Sequence, residues 1–195
     1  MEKLIVISGP SAAGKSTLAP LFKEGLDRED YLRSWVIELD LLFLMLDPTY
    51  TYEDPYVVWS EARKQASILL KSLHPKTENL PIYVLGSTIF SPAAVAQLLE
   101  ELVEEDILFY HFTLAPSIDA LKERFIKRQS EVPDWILSHL QERVPYLHEP
   151  WTTVIDTSTL TPAQTRDMIE SHVKQGIGNS FTIKDWLTNY ASLPT

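Results

Sequence analysis

The chain has 195 residues, 45% hydrophobic and 23% charged, the make-up of a folded globular protein with room for a full core. Its 17 Lys and Arg stand against 27 Asp and Glu, a formal charge of -10, and a surface that acidic repels phosphate backbones, so a protein that binds nucleic acid is not expected. With no cysteine, disulfides, thiolate metal sites and a cysteine nucleophile are excluded.

Leu4 to Ile7 is a short apolar run ended by Gly9, the pattern of a strand buried on both faces. It is too short for a signal-peptide core of roughly 7–15 residues. Lys15 to Leu26 reads as a helix, with Leu18, Leu21, Phe22 and Leu26 at spacings of three and four and Pro20 as a point for a kink. Trp35 to Leu39 is a second strand, followed by Asp40 and a short apolar helix from Leu41 to Leu46. That run is far below the ~18 residues of a membrane span. No membrane partner and a soluble, cytoplasmic protein are therefore expected. Asp47 to Tyr56 carries two prolines and reads as a loop, and Val57 to Leu73 as a long helix.

Pro81 to Leu85 is a third strand ending at Gly86. Pro92 to Glu105 is a helix with proline in its first turn. Ile107 to Leu114 is a fourth strand, and Ser117 is the expected N-cap of a helix reaching Arg128. Trp135 to Leu147 is helical with a break near Pro145, Thr152 to Ile155 is a fifth strand, and Pro162 to Lys174 is a helix with Gly176 just beyond its end. Residues 177–195 form a tail with a short helix through Trp186. The whole, 1–195, reads as one α/β domain, because strands alternating with helices give a parallel sheet covered on both faces.

Gly9-Pro10-Ser11-Ala12-Ala13-Gly14-Lys15-Ser16 fits G-x-x-x-x-G-K-[ST], and Thr17 follows. Small residues let backbone N–H groups approach phosphates, and the helix opening at Lys15 aims its positive end at them. Lys15 is placed to reach the β- and γ-phosphates, and the Ser16 hydroxyl to ligate Mg²⁺. ATP and Mg²⁺ are the cofactors this implies. The loop alone does not say whether the γ-phosphate is hydrolysed, transferred or used as a switch.

A kinase needs a carboxylate beside the acceptor hydroxyl. Asp40 falls after the second strand, at the carboxyl edge where α/β sheets hold ligands. It is equally suited to cap the helix from Leu41, and the two roles are compatible. The third strand ends Leu85-Gly86-Ser87-Thr88 without an acid, which weakens a motor-ATPase reading and leaves Asp40 as the candidate for a Mg²⁺-bound water. Arg124, Lys127 and Arg128 share one helix face, either a clamp on the transferring phosphoryl group or a solvated face paired with Glu123 or Glu131. Tyr52, Trp59 and Arg63 are candidates for the acceptor pocket, with core packing as the alternative for the aromatics. The five histidines show no metal-ligand spacing.

These residues resemble the small P-loop kinases of metabolites: gluconate kinase, shikimate kinase, chloramphenicol phosphotransferase, and the nucleoside and adenylate kinases. The loop Ser8 to Thr17 is similar to theirs, and Leu121 to Arg128 looks like their lid entry. Trp135 to Leu140 with Leu147-His148-Glu149-Pro150 is most similar to the gluconate kinase lid. Val154-Ile155-Asp156-Thr157-Ser158 and Leu160-Thr161-Pro162 resemble their fifth strand and adenine-side loop, which brings Thr157 and Ser158 into the nucleotide set. The resemblance implies a five-stranded parallel sheet of order 2-3-1-4-5 and a lid over about 128–143. It implies phosphate and Mg²⁺ contacts from Gly9, Gly14, Lys15, Ser16 and Thr17, an acceptor carboxylate at Asp40, and lid arginines at Arg124 and Arg128. The acceptor segment of gluconate kinase is not recognisable; Tyr50, Tyr52, Glu53, Asp54, Tyr56 and Trp59 stand in its place. The reading is an ATP- and Mg²⁺-dependent kinase of a small-molecule hydroxyl (sugar acid, nucleoside or antibiotic-like). The alternatives are a zeta-toxin-like nucleotide-sugar kinase and a nucleotide-binding regulatory module without acceptor.

Overall fold

The computed structural model describes residues 2–24, 34–47, 55–74, 80–86, 89, 91–129, 150–177 and 180–193. Its sheet has the strand order β2-β3-β1-β4-β5, formed by β1 (Glu2–Ser8), β2 (Trp35–Glu38), β3 (Ile82–Leu85), β4 (Ile107–Leu114) and β5 (Thr153–Ile155), all parallel. A sixth strand, β6 (Ser180–Thr182), runs antiparallel to the first half of β4, so the sheet has one strand more than expected. Residues 177–195 are accordingly more than a tail.

β1 is buried on both faces because its alternate side chains feed two cores. Leu4 and Val6 join a cluster with Leu70 of α3 (Pro55–Leu73), Leu98 of α4 (Pro92–Leu99) and Trp186. Ile5 and Ile7 join Leu18 and Phe22 of α1 (Lys15–Glu24) on the opposite face. Pro20 faces solvent, and α1 runs through it.

Two boundaries differ from the sequence reading for visible reasons. Helix α2 spans Leu39–Leu46, two residues earlier than expected, because Leu39 and Phe43, one turn apart, are the side chains it buries. Asp40 therefore sits in the first turn. The N-cap position is Glu38, whose side chain makes no capping bond. Helix α4 ends at Leu99 and passes into a 3₁₀ turn over Glu100–Leu102, where the Glu101 N–H donates to the Ser67 hydroxyl at 3.0 Å.

Other helix ends are capped by side chains, at Ser117 as expected. The Ser91 hydroxyl accepts from Ala94 N–H ahead of Pro92, and Ser117 accepts from Ala120 N–H at the start of α5 (Ile118–Gln129). The helix α6 (Pro162–Gln175) has a Thr161/Gln164 capping box and ends at Gly176 with φ 63°. The chain closes with α7 (Ile183–Tyr190), which buries Ile183 and Trp186. The expected helix over 135–147 and most of the expected lid lie outside the described residues.

Candidate active site

The phosphate loop joins β1 to α1 at the carboxyl edge of the sheet. Its path needs residues without bulk. Gly9 has φ 140°, and a Cβ there would lie 2.6 Å from the Leu114 carbonyl oxygen. Gly14 has φ 107°, and a Cβ built on it would meet nothing within 4 Å, leaving space above the loop for a ligand. Ala12 holds φ 63°, a left-handed conformation that costs a residue with a Cβ about 1–2 kcal/mol. Strain of this kind is typical of ligand loops.

Lys15 is buried, and its ammonium donates to the carbonyls of Gly9 at 2.7 Å and Pro10 at 2.9 Å. The cation is thus folded back over the loop. Ser16 and Thr17 are exposed, and Thr17 N–H and Leu18 N–H both donate to the Gly14 carbonyl as α1 begins. That first turn carries the positive end of the helix dipole.

Beside the loop lies a cleft of about 460 Å³. Its floor is Ala12, Ala13, Gly14, Thr17 and Leu18, with Leu114 from the end of β4. One wall is the basic face of α5, where Arg124, Lys127 and Arg128 all line the cavity. The other is the segment after β5, with Thr157, Leu160, Pro162 and Thr165. Arg124 ties the parts together. It donates from Nη1 to the Ala13 carbonyl at 3.1 Å and from Nη2 to the Thr157 carbonyl at 2.5 Å.

The segment after β5 is held by its own hydrogen bonds. Asp156 Oδ1 accepts from the Ser158 hydroxyl at 2.5 Å and from Ser158 N–H at 2.8 Å. These bonds, the side-chain one foremost, hold the Asp156 carboxyl below the usual carboxylate range. The Ser158 hydroxyl also accepts from Ser117 N–H at 2.8 Å, fixing the start of α5. Thr157 is 2% exposed, and its hydroxyl is buried without a hydrogen-bond partner among the described residues.

The remaining expected residues lie elsewhere. Glu38 of β2 pairs with Leu85, which pairs with Ile7 of β1, so the ends of these strands form one row. With strands ~4.8 Å apart, Glu38 lies about 10 Å from Ile7 across the sheet, and Asp40 follows it in the first turn of α2. Trp59 of α3 lies against Phe43 and Tyr56, with ring centroids 6.3 Å and 5.0 Å away. Arg63 is 8% exposed between α3 and α4, and its Nε donates to Gln97 Oε1 at 2.8 Å. Burial lowers its pKa to about 10. Neither Trp59 nor Arg63 lines the cleft. Tyr52 lies outside the described residues.

Sequence reasoning missed Leu114, Leu18 and Thr165 as lining residues. The first had a usable signal, because the last residue of a parallel strand faces the ligand edge. Among the described residues no cluster of His, Asp or Glu could hold a metal ion, and no helix is long and apolar enough to cross a membrane.

No family model matches the sequence, and no curated protein sequence matches it either. Solved structures do. A tunicamycin resistance protein from Deinococcus radiodurans superposes with a TM-score of 0.66 at 22% identity, over 91% of this chain and 97% of that one. A shikimate kinase from Acinetobacter baumannii gives 0.60 at 14% identity, over 90% and 95%. A gluconokinase from Sinorhizobium meliloti gives 0.59 at 18%, over 89% and 92%. The strand order, the loop between β1 and α1 and these neighbours agree: the chain has the α/β fold of the small P-loop kinases.

Proposed function

We propose that the chain is a single kinase domain that transfers the γ-phosphoryl group of ATP to a hydroxyl of a small molecule. One observation carries the reading. Ala12, Ala13, Gly14 and Thr17 of the phosphate loop and three cations of α5 line the same cleft, which joins nucleotide binding to stabilisation of charge on a transferring phosphoryl group. The kinase neighbours support it through the fold.

In this reading N–H groups of the loop over residues 9–17 cradle the phosphates, Pro10 having none and Ala13 and Thr17 donating within the loop, and Lys15 leaves its carbonyls for the β- and γ-oxygens. Thr157 and Ser158 shape the nucleoside end of the cleft. The exposed hydroxyl of Ser16, one residue past Lys15, suits a hard cation that prefers oxygen ligands, so the residues present fit Mg²⁺. When bound, that ion would neutralise charge on the β- and γ-oxygens. Asp40 orients the acceptor hydroxyl and takes its proton, and Arg128, at the mouth of the lid over 128–143, clamps the phosphoryl group in transit. Tyr52, Trp59 and Arg63 stand as acceptor-side residues, Trp59 and Arg63 by shaping the α2–α3 face. Leu44, exposed one turn below Asp40 with Met45 beside it, favours an acceptor with an apolar portion. One structural neighbour is named for tunicamycin resistance, in keeping with an antibiotic-like acceptor.

The test is a phosphoryl-transfer screen with γ-labelled ATP across sugar acids, nucleosides, nucleotide sugars and antibiotic-like alcohols. Label on one acceptor class is the expected result. Phosphate release that no acceptor changes would refute the kinase reading in favour of a regulatory module.

A further inference from the structure

His111, in the middle of β4, is 1% exposed and plays no part in the cleft. Its Nε2 lies 2.9 Å from the Ser8 hydroxyl, which lies 3.0 Å from that of Thr113, itself 2.8 Å from that of Thr152. The Thr152 hydroxyl donates to the carbonyl of His111 at 3.3 Å, so the chain of bonds returns to the residue where it starts.

Each hydroxyl has one hydrogen, so the bonds run together in one direction or the other, and the His111 tautomer decides which. With the Thr152 hydrogen on the His111 carbonyl, Thr113 donates to Thr152, Ser8 to Thr113, and Nε2 of His111 to Ser8. A longer contact from Ser8 to the Phe112 carbonyl, 3.4 Å, competes for the same hydrogen and leaves Nε2 the donor all the same. Nδ1 has no partner within hydrogen-bond geometry among the described residues. Burial holds the imidazole neutral, its pKa lowered to about 3 against a smaller opposing contribution from the Trp151 backbone.

We propose that His111 is a positioning residue for nucleotide phosphates: by donating from Nε2 to Ser8 it fixes the end of β1, from which Gly9 and Pro10 hold Lys15. The inference rests on the nucleotide-binding part of the reading above. Ser8 directly precedes Gly9, whose backbone is pressed against Leu114. Thr152 directly precedes β5, which leads to the Thr157 carbonyl held by Arg124. One buried relay therefore ties together the strands that carry the floor and the far wall of the cleft.

The test compares His111→Phe, His111→Gln and Ser8→Ala with the parent, measuring ATP dissociation constant by calorimetry and Tm by thermal unfolding. Phe keeps the ring beside Trp151 (centroids 5.0 Å apart in the parent) and removes the donor, whereas Gln offers an amide N–H at similar reach. The expected result is ATP binding weakened on the order of tenfold in the Phe and Ala variants and restored to within about threefold in the Gln variant. Unchanged ATP affinity in a folded Phe variant, with only Tm lowered, overturns the proposal, as does a Gln variant no better than Phe. Should the Phe variant not fold, Ser8→Ala decides alone, and parental affinity there overturns the proposal. Nitrogen NMR of the parent at neutral pH is expected to show the Nε2–H tautomer; the Nδ1–H form refutes it. A parent that binds no ATP refutes the nucleotide reading and this proposal together, an outcome distinct from the variant results.

Discussion

Arg124→Ala is expected to lower stability and ATP affinity together, whereas Arg128→Ala is expected to lower turnover alone. Arg124 is half-buried and donates to two carbonyls, one on the floor and one on the far wall of the cleft, at 3.1 Å and 2.5 Å. A hydrogen bond from a charged donor nets about 1.5–3 kcal/mol, so two would reach about 3–6 kcal/mol in a dry site. This site is open. Water replaces the guanidinium on both carbonyls and screens its charge, which brings the loss to about 2 kcal/mol. In a chain of this length each kcal/mol moves Tm by ~2–4 °C, so a drop of about 4–8 °C is expected. Arg128 is exposed on the same face, and its alanine variant should melt within about 1 °C of the parent. The assay pairs thermal unfolding without nucleotide with kcat and ATP KM measured on the acceptor found by the screen. Arg124→Lys sharpens it, because one ammonium cannot bridge floor and far wall and should recover only about half of the stability. An Arg124→Ala protein that melts with the parent would refute the bridging argument, whatever its activity.

Other expectations follow from the same geometry. Lys15→Ala should abolish transfer while far-ultraviolet circular dichroism stays parental; unchanged turnover would remove the phosphate-loop reading. Asp40→Asn should reduce turnover by roughly 10²–10⁴ with stability changed by less than about 1 kcal/mol, since Asp40 occupies a helical first turn whose dipole favours the acid only modestly; a fully active variant would exclude the role. Chelation of Mg²⁺ should stop transfer and leave the nucleotide-free Tm untouched, and transfer persisting in chelator would exclude the ion. Stability should fall with acid because of His111: the unfolded chain takes up its proton near pH 6.5 and the folded one near 3, so stability present above pH 6.5 is lost toward pH 3, by up to ~1.4 kcal/mol per pH unit. In urea titrations from pH 7 to 4, His111→Gln should flatten that slope, and an equal slope in the variant would refute the assignment.

Much of this was legible in the chain because local signals and tertiary structure agree. The β1–loop–α1 unit needs only a short apolar run, small residues and an amphipathic helix, and all three lie within residues 4–22. Pro92 and Pro162 at first turns and Gly176 beyond α6 mark boundaries that the structure keeps. What stayed hidden depends on distant partners. Glu101 turns away from α4 because Ser67, 34 positions earlier, offers an acceptor. Asp40 falls inside a helix because Leu39 and Phe43 have a core to enter. The strand β6 is three residues long, and its pairing with Leu108 to Tyr110 is set by an edge some 70 positions earlier. In the site, the basic face of α5 was visible as spacing. That Arg124 spans floor and far wall was not, because its acceptors are backbone carbonyls, which every residue has and no sequence pattern marks.

The placement of β6 has a consequence for how the chain reaches this state. One side of β4 pairs with β1 along nearly its full length, while the other is divided between β5, at Phe112 to Leu114, and β6, at Leu108 to Tyr110. Until residues 180–190 arrive, that half of β4 offers bare backbone groups and the Trp186 seat beside Phe109 is empty. These elements follow β4 by some 70 positions, so closure of the sheet has a long sequence separation to bridge. During that interval the uncovered stretch of β4 is the place where two nascent chains would join edge to edge. The closing helix thus guards the molecule's solubility during birth as much as its stability afterwards.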